Sequence, residues 1–247
     1  MTNCYRFAGR TVEIRSLFAA VQEFCREYRV DGPADFPVTI TREDIEQERM
    51  KSAREDQAEG RAVRAFTDEY LETLAVYRQI AEKMPDYDTL LFHGSCVAAD
   101  GAGYLFTAKS GTGKSTHTRL WRELLGERAV MVNDDKPLIR VGESEVTVFG
   151  TPWDGKHRLS CNIAVPLKGL CLLTRSEENW ILPVTRAEAY PMLLQQVYRP
   201  ADPAALRKTL TLLDLLASAV PLYRLGCNRE LQAAELAYTM MAGEQRE

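Results

Sequence analysis

Residues Leu105-Phe106-Thr107-Ala108-Lys109-Ser110-Gly111-Thr112-Gly113-Lys114-Ser115-Thr116 decide how the rest of the chain is read. The first three close a short apolar strand, 108–113 form a loop of mostly small residues, and Gly-Lys-Ser opens a helix. This is the order of a phosphate-binding P-loop. Glycines at 111 and 113 let the backbone curl so that successive N–H groups face an anion. The helix that follows adds the positive end of its dipole. Lys114 is placed to reach terminal phosphates, and the Ser115 hydroxyl to ligate Mg²⁺. The general pattern is G-x-x-x-x-G-K-[ST], and here Ala108 stands in place of its first glycine. The phosphate-binding set expected is Ser110, Gly111, Thr112, Gly113, Lys114, Ser115 and Thr116.

Outward from this stretch, a hairpin precedes it. Residues 89–99 read as one strand interrupted by His93-Gly94-Ser95, with the turn Asp100-Gly101-Ala102-Gly103 leading into strand 104–107. The helix covers 114–125, with Leu120, Trp121 and Leu124 on its buried side, and strand 129–132 follows at once. A right-handed crossover makes that strand parallel to 104–107, so their C-terminal ends share one edge of the sheet. Asn133-Asp134-Asp135 then stands beside the P-loop, where ligands of such sheets bind. Two adjacent carboxylates are costly there unless cations accompany them, which phosphate-bound Mg²⁺ would supply. In phosphoryl transfer one acidic group holds the metal and another accepts the proton of the attacking hydroxyl.

The stretch from His93-Gly94 through Ser110-Gly111-Thr112-Gly113-Lys114-Ser115 to Val132-Asn133-Asp134-Asp135 resembles the catalytic core of HPr kinase/phosphorylase. It is also similar to the kinase motifs of ATP-dependent phosphoenolpyruvate (PEP) carboxykinase. The Ser-Gly-Thr-Gly-Lys run is closest to the carboxykinase version. More loosely, 92–241 resembles small HPr-kinase-like proteins found beside bacterial peptide-modification genes. The resemblance implies that Lys114 stabilises the transferring phosphate, Ser115 holds Mg²⁺, Asp134 is the base and Asp135 contacts the metal, with the order within the Asp pair open to reversal. It also implies a catalytic role for His93. No copy of the HPr-binding C-terminal segment is recognisable, and the chain is too short for the substrate half of a carboxykinase.

Further along, 137–141 and 146–149 form a second hairpin. The polar loop 150–160 offers Trp153 to stack on a ring, and Lys156, His157 and Arg158 to neutralise phosphates or bind an anionic acceptor. Arg175, after strand 167–173, and Arg199, at the end of helix 186–198, are candidate clamps. Strands 180–184 and 222–225 and helices 202–219 and 228–241 complete the chain. Before the P-loop region, strands 5–7 and 12–14 precede a helix over 17–28, a loop over 29–37 and a strand at 38–40. Residues 41–60 read as a solvated helix or mobile connection, and 62–83 as an amphipathic helix.

The expected fold class is α/β in the mixed α+β sense. It comprises a mixed sheet with an HPr kinase/PEP carboxykinase-like P-loop core, a small N-terminal α+β layer over 1–85, and C-terminal helices, the kinase domain being 86–247. The net charge of −4 over 247 residues argues against general nucleic-acid or membrane binding. Six scattered cysteines without C-x-x-C spacing argue against disulfides and zinc. With no opening apolar run, the expected location is cytoplasmic. The function expected is an ATP- and Mg²⁺-dependent kinase acting on a hydroxyl, that of a peptide or protein serine or of a small metabolite. The alternative is a non-catalytic nucleotide-binding sensor or scaffold.

Overall fold

In the computed structural model, which describes residues 1–58, 60–155 and 157–243, the chain opens with antiparallel strands β1 (Thr2–Phe7) and β2 (Arg10–Arg15). Ala8 and Gly9, both at positive φ, make the tight turn between them. Helix α1 (Ala19–Phe24) is shorter than the apolar spacing suggests, because Arg26–Tyr28 tighten into a 3-10 turn. The stretch expected as loop contains β3 (Arg29–Val30) and the start of β4 (Phe36–Thr39). Pro37 is tolerated because β4 is an edge strand in the order β3-β1-β2-β4.

Helix α2 (Arg42–Ala58) is not simply a solvated face. Glu48 and Asp56 are buried on it, and Asp56 accepts from the Arg64 guanidinium at 2.8 Å and from its backbone N–H at 3.0 Å. A buried carboxylate is tolerable only with such donors. Helix α3 (Asp68–Lys83) starts later than its apolar pattern, because the Thr67 hydroxyl accepts from the Tyr70 N–H and caps it. These elements form one compact unit, Met1–Lys83, and the remainder forms a second, Met84–Glu247.

The second unit begins with β5 (Thr89–Leu91) and β6 (Ser95–Ala99), which occupy different places in the sheet instead of forming one interrupted strand. Gly94 separates them. A Cβ there would lie 2.9 Å from Leu105 Cδ1 and 3.1 Å from the Phe106 carbonyl oxygen, so any side chain at this crossing would push Leu105 and the backbone apart. Next come β7 (Ala102–Thr107), α4 (Lys114–Leu125), β8 (Ala129–Asn133), β9 (Leu138–Val141) and β10 (Val146–Phe149). They are followed by β11 (Ala164–Arg175), β12 (Trp180–Pro183), α5 (Arg186–Gln196), α6 (Pro203–Ala219), β13 (Leu222–Cys227) and α7 (Leu231–Ala242). Strand β11 is longer than its apolar run, because its first residues pair antiparallel with β10 while the rest pairs parallel with β7 and β13.

The sheet is mixed, as its hairpins and single crossover predict, with the order β5-β9-β10-β11-β7-β6-β8 and with β13 and β12 joining at β11. Strand β6 runs antiparallel to both β7 and β8, so β8 is parallel to β7 with β6 between them. Side chains alternate between two cores. Cys96, Ala98, Leu105, Leu170 and Leu172 face one core, shared with α5 and α6. Val97, Ala99, Phe106, Cys171 and Leu173 face the other, shared with α4 and α7. A sheet buried on both faces reads as continuous apolar runs. Its consequence is that β7, β8, β11 and β13 all end on one edge. Among the described residues, no helix is long and apolar enough to cross a membrane.

Candidate functional site

The loop after β7 is bent by two glycines. Gly111 has φ 75° and Gly113, the N-cap of α4, has φ 125°. Nothing lies within 4 Å of where either Cβ would stand, so it is backbone conformation and not crowding that calls for glycine. Ala108 is different. It is buried in the core with Phe106 and Trp121 and has no positive φ, which is why a methyl is accommodated at this position. Ser110, Gly111 and Ser115 are exposed, and Thr112, Gly113, Lys114 and Thr116 are half-buried. Lys114 Nζ donates to the Ala108 carbonyl at 3.2 Å, folding back over its own loop. Burial pushes the Lys114 pKa down, and the nearby carboxylates of Asp135 and Asp134 oppose that shift. Arg175, at the end of β11, donates Nε to the Thr112 carbonyl at 3.4 Å and Nη2 to the Gly111 carbonyl.

The end of β8 is organised by Asn133. Its side-chain oxygen accepts from the N–H groups of Asp135 (2.8 Å) and Lys136 (2.6 Å), an Asx turn that follows the first carboxylate with the second. Its Nδ2 donates to the carbonyls of Thr151 (3.0 Å) and Trp153 (3.3 Å), tying the turn to the polar loop. Asp134 is nearly buried and accepts from Ser95 Oγ at 2.6 Å. Ser95 Oγ in turn lies 2.9 Å from Thr118 Oγ1, which bonds back to the first turn of α4. Asp135 is more open, with Lys136 Nζ at 3.1 Å and His93 Nε2 at 3.4 Å from its Oδ1. Burial, then the Lys136 and Lys114 ammonium groups, push His93 down to about 4, against the pull of Asp135. The His93 backbone is fixed at both ends, donating to the Gln196 carbonyl (2.8 Å) and accepting from Thr107 Oγ1 (3.0 Å).

Two clefts flank the start of α4. One, of about 460 Å³, runs from Gly111–Gly113 to the ends of β11 and β13, with Arg175 and Asn228 on its wall. The other, of about 410 Å³, lies on the β8 side and is bordered by Ser115, Asp134 and His157. Trp153 is buried, so its ring is not available for stacking on a ligand. Arg158 is exposed and has φ 47°. Lys156 lies outside the described residues. Arg199 is exposed and donates to the Leu194 carbonyl at 2.9 Å, capping the last turn of α5.

The family model of the SynChlorMet cassette protein ScmC matches residues 64–229, more than half of the chain. The chain belongs to the ScmC family. No curated protein matches it. Among solved structures, the HPr(Ser) kinase/phosphatase from Coxiella burnetii is similar over 63% of this chain and 99% of that one, with 11% identity and a TM-score of 0.36.

In this ScmC chain the matched span contains every residue from His93 to Arg199 considered above. The structure brings His93, Lys114, Asp134 and Asp135 together, adds Arg175 at the loop, and puts Arg199 at a helix end. Ser95, Thr118, Lys136 and Gly155 belong to the same site and were missed by sequence reasoning. Ser95 carried a signal, being a polar residue inside an apolar strand pair. Gly155 carried none. A Cβ there would lie 2.7 Å from Asp134 Oδ2, a close approach that only the fold creates.

Proposed function

We propose that this ScmC-family protein is an ATP-dependent kinase that transfers the γ-phosphate to a hydroxyl group. The observation that carries this reading is the clustering of Lys114, Asp134 and Asp135 at one sheet edge, beside a glycine-bent loop at a helix N-terminus. Such a loop and helix end favour a polyphosphate. A site that only binds nucleotide and its Mg²⁺ needs one carboxylate at most and no base. One that deprotonates an attacking hydroxyl needs a second carboxylate as base.

Ser110 to Thr116 would cradle the phosphates, and Lys114 would leave the Ala108 carbonyl for a phosphate oxygen. The exposed Ser115 hydroxyl and Asp135 fit Mg²⁺, a hard cation that takes a few protein oxygens alongside phosphate oxygens. Bound there, the ion would neutralise charge that develops on the phosphates. Asp134 borders the cleft that also reaches Ser115, so it is assigned the acceptor proton. His93, largely neutral at pH 7, would position Asp135 without adding a second cation beside Lys136. The reaction would belong to the ATP-rich cytoplasm.

The test is transfer of label from γ-labelled ATP with Mg²⁺ to serine peptides and hydroxylated metabolites, with Lys114→Ala and Asp134→Asn alongside. Label is expected in an acceptor and is expected to fall by at least about 10²-fold in each variant. Asp134→Asn should keep its ATP affinity. Tight ATP binding with no transfer to any acceptor would instead make the protein a nucleotide sensor.

A further inference from the structure

The cleft that Asp134 borders has a second, cationic end. Ser115, Thr118, Arg119 and Arg122 follow the i, i+3, i+4, i+7 spacing of one helix face, and all four line it. Arg119 pairs with Glu123 on its own helix, whereas Arg122 is half-buried and has no ion pair among the described residues. Asp134 is the one carboxylate among the described lining residues, and it stands at the Ser115 end, tied through Ser95 to Thr118. Met131 and Leu159 supply apolar wall. A chain of net charge −4 therefore carries a local groove with two guanidinium groups toward one end and a single carboxylate toward the other.

From these placements we propose that the groove takes the acceptor as an acidic peptide segment. Its serine hydroxyl would lie at Asp134, and the carboxylate of a Glu or Asp two or three residues away would lie on Arg122 and Arg119. The inference rests on the phosphotransfer reading above. The spacing follows from the helix. Seven residues from Ser115 to Arg122 rise about 10 Å, side chains lean toward the helix N-terminus and shorten that reach, and an extended peptide covers about 3.3–3.6 Å per residue. The apolar wall of Met131 and Leu159 suits the stem of a peptide that reaches from the carboxylate to the guanidinium groups. In the transfer, the serine Oγ–H proton passes to the Asp134 carboxylate. The oxygen forms a bond to the γ-phosphorus as the bond to the β–γ bridging oxygen breaks, and ADP leaves with that electron pair.

Two fluorescent serine-centred peptide pools test this, identical except for Glu or Gln placed one to five residues from the serine. Binding is read by anisotropy in the presence of Mg²⁺ and a non-hydrolysable ATP analogue. The Glu pool is expected to bind at least about tenfold tighter, with the preference concentrated two or three residues away. Arg122→Gln should abolish that preference, and Arg122→Glu should transfer it to a Lys pool. Equal binding of the pools, or binding of neither, overturns the proposal, as does glycerol 3-phosphate displacing the Glu pool at lower concentration than free Glu peptide. Label transfer measured on the same pools separates the two readings. Selective binding of the Glu pool without transfer keeps the groove and removes the kinase. Equal transfer to both pools keeps the kinase and removes the groove.

Discussion

Asp134 is held by two contacts of opposite kind. Ser95 donates a 2.6 Å hydrogen bond to one carboxylate oxygen, and the bare Cα of Gly155 lets the loop close over the other. Both contacts fix where the carboxylate stands, and small displacements of a reacting group are costly. On the proposed reading, Gly155→Ala would push a Cβ to 2.7 Å from Oδ2 and move the carboxylate off the acceptor. The expected result is a fall in kcat of at least about tenfold with ATP affinity retained. Steady-state kinetics and an ATP titration check it, and an unchanged kcat would remove Asp134 from the reacting end. Lys114 and the Asp pair were legible as residues because the phosphate motif has a fixed spacing. Gly155 was not, because its partner is 21 positions away in sequence and the contact exists only once β8 and the polar loop have met.

At the scale of the element, α4 does more than present its N-terminus. Its His117 is buried between Phe106 and Trp121, and the Trp121 indole donates to His117 Nε2 at 3.1 Å. An indole nitrogen only donates, so the imidazole is neutral, with its proton on Nδ1. Burial holds the His117 pKa at about 4, against its ordinary 6.5. Between those two values the unfolded chain binds the extra proton and the folded chain does not, so stability is full above pH 6.5 and declines as pH falls toward 4. By pH 5 the loss from this one group is on the order of 2 kcal/mol. His93 shifts in the same direction and adds to the slope. His117→Gln keeps an acceptor for Trp121 but cannot titrate. Urea midpoints at pH 7 and pH 5 should therefore differ less in the variant than in the wild type, and equal differences would refute the assignment. Helix and hairpin periodicity located α4, β9 and β10 to the residue or nearly so. The same patterning read β5 and β6 as one interrupted strand, because Phe92 and Cys96, on either side of His93-Gly94-Ser95, are apolar and buried in one core.

At the scale of the whole molecule, every residue of the candidate site comes from the unit Met84–Glu247, and most come from the ends of strands that point one way. A ligand bound there should slow hydrogen exchange where those ends converge. With saturating Mg²⁺ and ATP, amide protection is expected to rise over residues 108–116 and 133–136 and to stay constant over 2–39. Absence of protection in 108–116 would exclude the loop as the phosphate site. Binding at a hundredfold excess over Kd should also add about 2.7 kcal/mol to the stability of the unit that binds.

The amino-acid sequence by itself determined the local facts: most strands and helices from 95 onward, where a phosphate could sit, and that two carboxylates follow a short strand after it. These are set by side-chain periodicity, turn residues and backbone freedom within a few positions, and they survive without any partner. Tertiary structure decided the rest. It inserted β6 between two parallel strands, joined Ser95 to Asp134 and Thr118, buried Trp153, turned Arg199 into a helix cap and Arg175 into a brace on the glycine loop, and lined up Arg119 and Arg122 on one groove. The Arg199 cap and the shared face of Arg119 and Arg122 are local to a helix, but the others depend on contacts between residues far apart in the chain, whose geometry is fixed only when the two cores pack on either side of the sheet.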